Sequence, residues 1–240
     1  MFLDTSSPWL TLSGNDFASL GDQLREDGVA QVSNPLSQEC AEDLGNELDK
    51  AAWNLVIWLN DEVFQSDLTK LTAAKERELV PFAQAQADTQ FRFAYDRVAL
   101  TDRAPSDHEP SPCLKQLHDT WAHPKALGNW SNMLAGQEVT SLSMQATRFR
   151  REHFLTPHDD SHRDGAPRLV AFVLSLATAW QSHWGGQTHI EDTRGQTRVI
   201  TPGFNTLTLF TVPRGHFVSL VASYAPPRGR VAISGCLFGG

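Results

Sequence analysis

The feature that most restricts the fold is the texture of the chain from Val139 onward, where short apolar or alternating runs follow one another with turn residues between them. Runs at 142–149, 169–176, 187–190, 206–212, 217–224 and 231–238, with Val199 between, recur at roughly the 8 to 12 residue spacing of a β-sandwich or barrel. Segment 169–176, LVAFVLSL, is almost wholly apolar and rich in β-branched and aromatic residues, which predicts a central strand covered on both faces. Gly185 with Gly186, and Pro202 with Gly203, interrupt the pattern as turns do. A mainly β jelly roll with helices packed outside it accommodates these features.

The first ninety residues read differently. Ser37 stands before a Glu-rich turn and then Leu44, Leu48, Ala51, Ala52 and Leu55 at helical spacing, which predicts a helix capped by Ser37 and running to Trp58. A second, polar helix is expected over 61–79, stopped by Pro81. The alternation of FRFAYDRVAL at 91–100 predicts a strand, and TDRAPSDHEPSP at 101–112 a loop at an active-site mouth or a plain connector. Short helices are expected over 114–123 and 128–134. The 240 residues suffice for one domain with a substantial core. Its expected parts are a helical support region over 1–90 and a jelly-roll core over 91–240.

Composition narrows the function. A formal charge of −8 opposes wrapping a phosphate backbone, so no nucleic-acid partner is expected. The one basic cluster, Arg148, Arg150 and Arg151, reads either as local steering for a small anion or as a solvated strand edge. No apolar run approaches the ~20 residues of a membrane span, and Met1 to Pro8 lack a basic stretch followed by an apolar one, so a soluble, cytoplasmic protein is expected. Cys40, Cys113 and Cys236, odd in number and widely spaced, fit reduced, packed thiols.

The chain has no Gly-rich phosphate loop, dinucleotide fingerprint, serine-nucleophile elbow or paired CxxC. TPHDD at 156–160 stands out instead. In an extended strand His158 and Asp160 point to one side and Asp159 to the other, so His158 and Asp160 can share one ion. An H-x-D triplet alone is weak. A facial triad needs a second imidazole from a strand distant in sequence but adjacent in space, and a jelly roll puts about four strands between the two positions. His216 lies 58 residues further along (158 to 216) and opens the run HFVSLVASY. His189 with Glu191 is formally a second pair, but only 27 residues separate it from His216 (189 to 216), which makes His189 a wall residue. His108, His118, His123, His153, His162 and His183 read as structural or solvent-facing. Two histidines and a carboxylate on one face leave positions open for cosubstrate and O₂, the arrangement of non-haem iron(II) oxygenases. Arg230 begins RVAISGCLF and shares a face with Ala232 and Ser234; a guanidinium and a hydroxyl there can grip a carboxylate, unless Arg230 is only a surface ion pair. Arg228, in the turn APPRG, is expected to face solvent.

Over about 140–240 the chain resembles the 2-oxoglutarate and iron-dependent dioxygenases of the prolyl hydroxylase-like superfamily. The resemblance is carried by HFLTPHDD, RLVAFVLSL, WQSHWGG, PGFNTLTLF, the distal His216 and RVAISGCLF. It implies a double-stranded β-helix, Fe(II) at His158, Asp160 and His216, and O₂ as a further cosubstrate. It also implies 2-oxoglutarate on Arg230 and Ser234, with ascorbate as an optional reductant. Phe149 stands where such relatives often carry a tyrosine, and Ser175 corresponds to a second one, which shifts carboxylate binding onto Arg230 and Ser234. The reaction implied is hydroxylation of an unactivated C–H bond, of a prolyl residue in a protein or peptide or else of a free amino acid or natural-product intermediate. Halogenation is disfavoured by the presence of Asp160. A reading from another class is a zinc hydrolase or a non-catalytic cupin-like binding protein on the same ligands. Arg148, Trp184 and His189, with Trp121 and Trp180, are the expected substrate-contacting walls.

Overall fold

Alternation in the C-terminal half becomes one curled antiparallel sheet, and the helices gather on one side of it. The structure is a computed structural model and describes residues 7–60, 62–101, 103, 107–161 and 165–240. In chain order its elements are α1 (Gly14–Asp27), β1 (Val29–Ser33), α2 (Gln38–Asp49), β2 (Asn54–Leu59), β3 (Glu62–Asp67), α3 (Ala73–Gln84), β4 (Phe93–Ala99), α4 (Pro112–Trp121), α5 (Pro124–Met133), β5 (Val139–Leu142), β6 (Gln145–Phe149), β7 (Phe154–His158), β8 (Arg168–Leu176), β9 (Thr188–Glu191), β10 (Thr197–Ile200), β11 (Phe204–Thr211), β12 (His216–Val218) and β13 (Arg230–Gly239). The sheet runs β1-β11-β8-β13-β6-β4-β7-β12-β9-β10, with β2 and β3 continuing from β4 and β5 paired to β13. β4 takes β2 on one side and divides its other side, Asp96 to Ala99 pairing with β6 and Phe93 with Ala94 pairing with β7. There the sheet bends over a hollow, as a double-stranded β-helix does.

β8 is central, between β11 and β13, and both its faces are covered. Val170, Phe172, Leu174 and Leu176 meet Phe17 and Leu20 of α1, Leu44 and Leu48 of α2, Leu114, Leu117 and Trp121 of α4, and Trp130 of α5 in the main core. Each such fully buried side chain contributes roughly 1.5–3 kcal/mol. Side-chain caps start the helices: Ser13 and Asp16 form a reciprocal capping box on α1, Ser37 accepts from Cys40 N as expected, and Thr72 and Ser111 cap α3 and α4. Trp121 belongs to this core, donating its indole N–H to Trp9 O at 2.8 Å, and is not a cavity wall. The three cysteines are free thiols.

The N-terminal expectations need correction. α2 ends at Asp49, and the residues expected to prolong it form β2, while 62–67 form β3 rather than helix. β2 has ladder partners on both sides and buries Leu55, Val56 and Ile57 together, so it carries no period-two signal to tell it from a buried helical turn. Pro81 lies inside α3, which continues to Gln84 because Val80 and Ala83 are anchored against Ile57, Ala94 and Phe154. The run at 217–224 is strand only through Val218.

Of the basic cluster, Arg148 and Arg150 are tied into the protein, while Arg151 is exposed. Asp96 has a fully buried side chain and accepts from Arg148 Nε at 2.8 Å and Arg150 Nε at 2.6 Å, while Arg151 Nε donates to Ala225 O. Arg150 also reaches Glu76 of α3 at 2.6 Å, and buried His153 lies 3.8 Å from the same carboxylate. The close polar approach of His153, with the Arg150 hydrogen bond beside it, holds the Glu76 carboxyl down at about 2 against an ordinary 4.5. A depressed folded-state value stabilises the protein above pH 4.5, and that contribution is lost as pH falls toward 2. Glu76→Gln is therefore expected to lower stability by about 1–3 kcal/mol at pH 7. In urea titrations the gap from the unaltered protein should shrink as pH falls from about 5 toward 2; an undiminished gap at low pH would show that the carboxylate's charge contributes nothing.

Candidate metal and cosubstrate site

His158 is the last residue of β7 and His216 the first of β12, and the two are direct partners in the antiparallel ladder. That pairing sets their rings 4.0 Å apart between centroids. Four strands, β8 to β11, separate them in the chain, as the spacing predicted. Asp160 arrives by a route that was not predicted: it lies beyond β7 with φ +58°, so a left-handed turn, tolerated by aspartate, swings its carboxylate between the imidazoles. Asp159 points away, accepting from Ser161 N and Oγ at 2.9 and 2.7 Å.

Asp160 Oδ1 is 3.6 Å from His158 Nε2, and Asp160 Oδ2 is 3.4 Å from His216 Nε2. Ligand atoms of the three residues all lie within 4.8 Å of one another. Nδ1 of His158 faces Thr156 O at 3.1 Å and Nδ1 of His216 faces Arg214 O at 2.9 Å. A carbonyl only accepts, so each Nδ1 carries the proton and each Nε2 presents a lone pair toward Asp160. Burial, and then neighbouring His158, hold the His216 imidazole below its ordinary value and favour the neutral, ligating form. Arg168 Nη1 braces the turn from behind, donating to Asp160 O at 3.1 Å and lying 3.5 Å from Oδ1. Two neutral imidazoles and one carboxylate, with open space beyond them, fit a single iron ion.

The triad borders a cavity of about 370 Å³ whose floor is ordered by strand register. Arg230 is the ladder partner of Phe149, and Tyr95 stacks on Phe149 at 5.4 Å, so Tyr95, Phe149 and Arg230 form one row across β4, β6 and β13. The next row holds Arg97, Thr147, Ala232 and Ser175, and further along Gln145 pairs with Ser234. Arg230 is 2% exposed, and its guanidinium lies 4.5 Å over the Phe149 ring. Its Nε is enclosed without an acceptor, and no ion pair to it exists among the described residues. Burial without a counter-ion pulls the guanidinium down to about 10. A buried cation left unpaired costs several kcal/mol, so this position calls for an anion. Ser234, four residues along the same strand, also faces the cavity.

The remaining expectations fall outside it. Arg148 is tied to Asp96 and stacked over Trp53 at 4.6 Å. His189 stacks on Phe217 at 4.3 Å, and Trp184 packs edge-on to Trp180 at 5.3 Å, with Trp180 donating to Gly185 O at 2.9 Å. None of these four is among the cavity-lining residues. Arg228 is exposed, as expected, and pairs with Asp49 at 2.8 Å. His162 lies outside the described residues. The wall that sequence reasoning missed comes from β4 and its approach: Phe91, Phe93, Tyr95 and Arg97 line the cavity together. Their two-residue period was legible, but which face of that strand looks inward was not.

Comparison with known proteins agrees with this site. Residues 144–238 match the model of the 2OG-Fe(II) oxygenase superfamily. Among curated proteins no match is found. A prolyl-4-hydroxylase from Pseudomonas putida superposes with a TM-score of 0.62 at 19% identity, covering 93% of this chain and 99% of that one. A Trichoplax adhaerens prolyl hydroxylase, solved with a hypoxia inducible factor peptide fragment, gives 0.61 at 15% identity over 94% and 90% of the two chains. The non-heme alpha ketoglutarate dependent epimerase SnoN from nogalamycin biosynthesis gives 0.56 at 12% identity over 93% and 83%. At these identities the structural likenesses establish the fold, a double-stranded β-helix, while the family match spans the segment that carries His158, Asp160, His216, Arg230 and Ser234. Residues 144–238 therefore carry a 2OG-Fe(II) oxygenase domain, and the His-Asp-His triad within it fits the iron of a non-haem iron, 2-oxoglutarate-dependent dioxygenase, which uses Fe(II), 2-oxoglutarate and O₂.

Proposed function

We propose that His158 Nε2, Asp160 and His216 Nε2 hold the iron, that Arg230 and Ser234 hold the far carboxylate of 2-oxoglutarate, and that the enzyme hydroxylates a prolyl ring in a protein or peptide. The observation that carries the site assignment is the enclosed, unpaired guanidinium of Arg230 across the cavity from three convergent ligand atoms. An iron ion held by His158, Asp160 and His216 would, with 2-oxoglutarate and O₂, supply the oxidising power for a hydroxylation whose products are the alcohol, succinate and CO₂. The protein's residues do the rest. The carbonyls of Thr156 and Arg214 fix the imidazole tautomers, and Arg168 fixes the Asp160 turn. Arg230 orients the keto acid by charge-assisted bonds, and the aromatic side of the cavity, Phe91 and Phe93, holds an apolar ring beside His158. The prolyl reading is supported by the fold shared with the Pseudomonas and Trichoplax hydroxylases.

Anaerobic Fe(II) added with 2-oxoglutarate is expected to give a weak visible charge-transfer band, and His158→Ala, Asp160→Ala or His216→Ala to remove it with the circular dichroism spectrum retained. A band that persists in any one of these variants identifies a wrongly chosen ligand, and tight zinc binding without any band would favour a hydrolase. Arg230→Ala should weaken 2-oxoglutarate binding about 10- to 100-fold, the scale of a lost charge-assisted pair, with iron affinity unchanged; unchanged 2-oxoglutarate affinity would put the anchor elsewhere. For the substrate, proline-containing peptides and cell extract incubated with Fe(II), 2-oxoglutarate and air should show a mass gain of one oxygen atom on a prolyl residue. A gain confined to non-prolyl molecules rejects the prolyl reading but keeps the oxygenase one.

A further inference from the structure

We infer that the substrate carries a carboxylate and that Arg97 is the residue that reads it. This rests on the oxygenase reading above and narrows its substrate class. The cavity is lined by three arginines, Arg97, Arg168 and Arg230, against one carboxylate, Asp160. A divalent iron and a dianionic keto acid cancel each other, so loading the enzyme leaves that excess of positive charge in place. Even with Asp107 counted beside Arg97, the enclosed space stays cationic and favours an anionic over a neutral guest.

The three guanidinium groups are not equally available. Arg230 is assigned to the cosubstrate, and Arg168 braces the Asp160 turn. Arg97 lies in the ladder between Asn54 of β2 and Thr147 of β6. Its Nη2 donates to Asp107 Oδ2 at 3.0 Å and to Gln65 Oε1 at 3.1 Å, which holds the group in one orientation. Its Nε is enclosed and has no acceptor among the described residues, while 18% of the side-chain surface stays exposed where Arg97 lines the cavity, so the group is only partly satisfied by Asp107 and Gln65. Tyr95 stands two residues before Arg97 on the same face of β4, and both line the cavity together with Gln145 of the neighbouring β6. A guanidinium, a phenol and an amide on one cavity wall are donors of the kind a carboxylate accepts.

Placement along the wall agrees. Phe91, Phe93, Tyr95 and Arg97 succeed one another on the same face, Phe93 5.3 Å from Tyr95, Phe91 5.6 Å from Phe93, and Phe91 5.4 Å from the His158 ring. A molecule anchored by its carboxylate at Arg97 lies along this aromatic line with its far end beside the triad. The carboxylate could belong to a small organic acid or to an acidic side chain next to the oxidised residue of a peptide, and matched probes separate the two.

The test uses iron-loaded protein with 2-oxoglutarate under anaerobic conditions. N-acetyl-L-proline, N-acetyl-L-leucine and 4-phenylbutanoate are titrated against their primary amides, and blocked peptides with Glu beside a central proline against the same peptides with Gln. Binding is read by calorimetry and by the change in the visible band. At least one acid or Glu peptide is expected to bind about tenfold or more tightly than its neutral partner. Which arm shows the preference identifies the source of the carboxylate. Arg97→Gln should erase the preference, and Arg97→Lys, which keeps a charge for Asp107 but lacks the planar guanidinium, should reduce it, both with 2-oxoglutarate affinity unchanged; because Arg97→Gln strands the buried Asp107 carboxylate and is expected to lower the melting temperature, binding is compared well below each variant's transition. The inference is overturned when no acid exceeds its amide, when the preference survives in Arg97→Gln, or when that variant loses 2-oxoglutarate instead. Failure of 2-oxoglutarate to bind the unaltered iron-loaded protein is a different result, and it removes the oxygenase reading itself.

Discussion

The ladder between β7 and β12 carries the site. It makes His158 and His216 direct partners although four strands intervene in the chain, and it can form only if the sheet bends at β4 so that β7 leaves the edge shared with β6. Because antiparallel register is quantised by residue, a slip of one position would turn one imidazole to the opposite face and dissolve the cluster. The helices hold the bend indirectly. They bury the outer face of β8, β11 and β13 and leave the inner face free to line a hollow.

Electrostatics divide the molecule in the same way. Outside the cavity, buried charges are compensated: Asp96 is shared by Arg148 and Arg150, and Glu76 is met by Arg150 and His153. These pairs fasten α3 and the β6–β7 turn to β4. Inside, compensation stops. Arg230 has only an aromatic ring beneath it, and Arg97 retains an enclosed donor without an acceptor. Since an unpaired buried charge is costly, the uncompensated guanidinium of Arg230 marks where an anionic ligand completes the structure, and Arg97, paired with Asp107, keeps one donor unmet beside the same hollow.

Much of the site was legible in the chain because metal and carboxylate chemistry restrict residue types. His158, Asp160 and His216 stand out by type and separation, and Arg230 with Ser234 by type and two-residue period. The path of Asp160 was not legible: strand alternation puts its carboxylate beside His158 by the wrong geometry, since a positive φ is a property of a turn already folded. Nor was the fate of Arg148, Trp184 and His189. A charged or aromatic residue near a predicted site has no sequence mark to separate one that contacts a ligand from one that pairs with Asp96, Trp180 or Phe217.

The sequence by itself determined the class of fold and the chemistry, because short alternating runs can bury their apolar residues only in a closed β architecture, and because two imidazoles, a carboxylate and an arginine at these separations admit few uses. Tertiary structure alone decided that β2 and β3 are paired antiparallel strands and not helix, that β4 supplies a wall of the cavity, and that Phe91, Phe93, Tyr95 and Arg97 face inward. The physical reason is that local pattern reports whether a segment can bury a face, whereas the partner that covers that face is set by contacts between residues far apart in the chain.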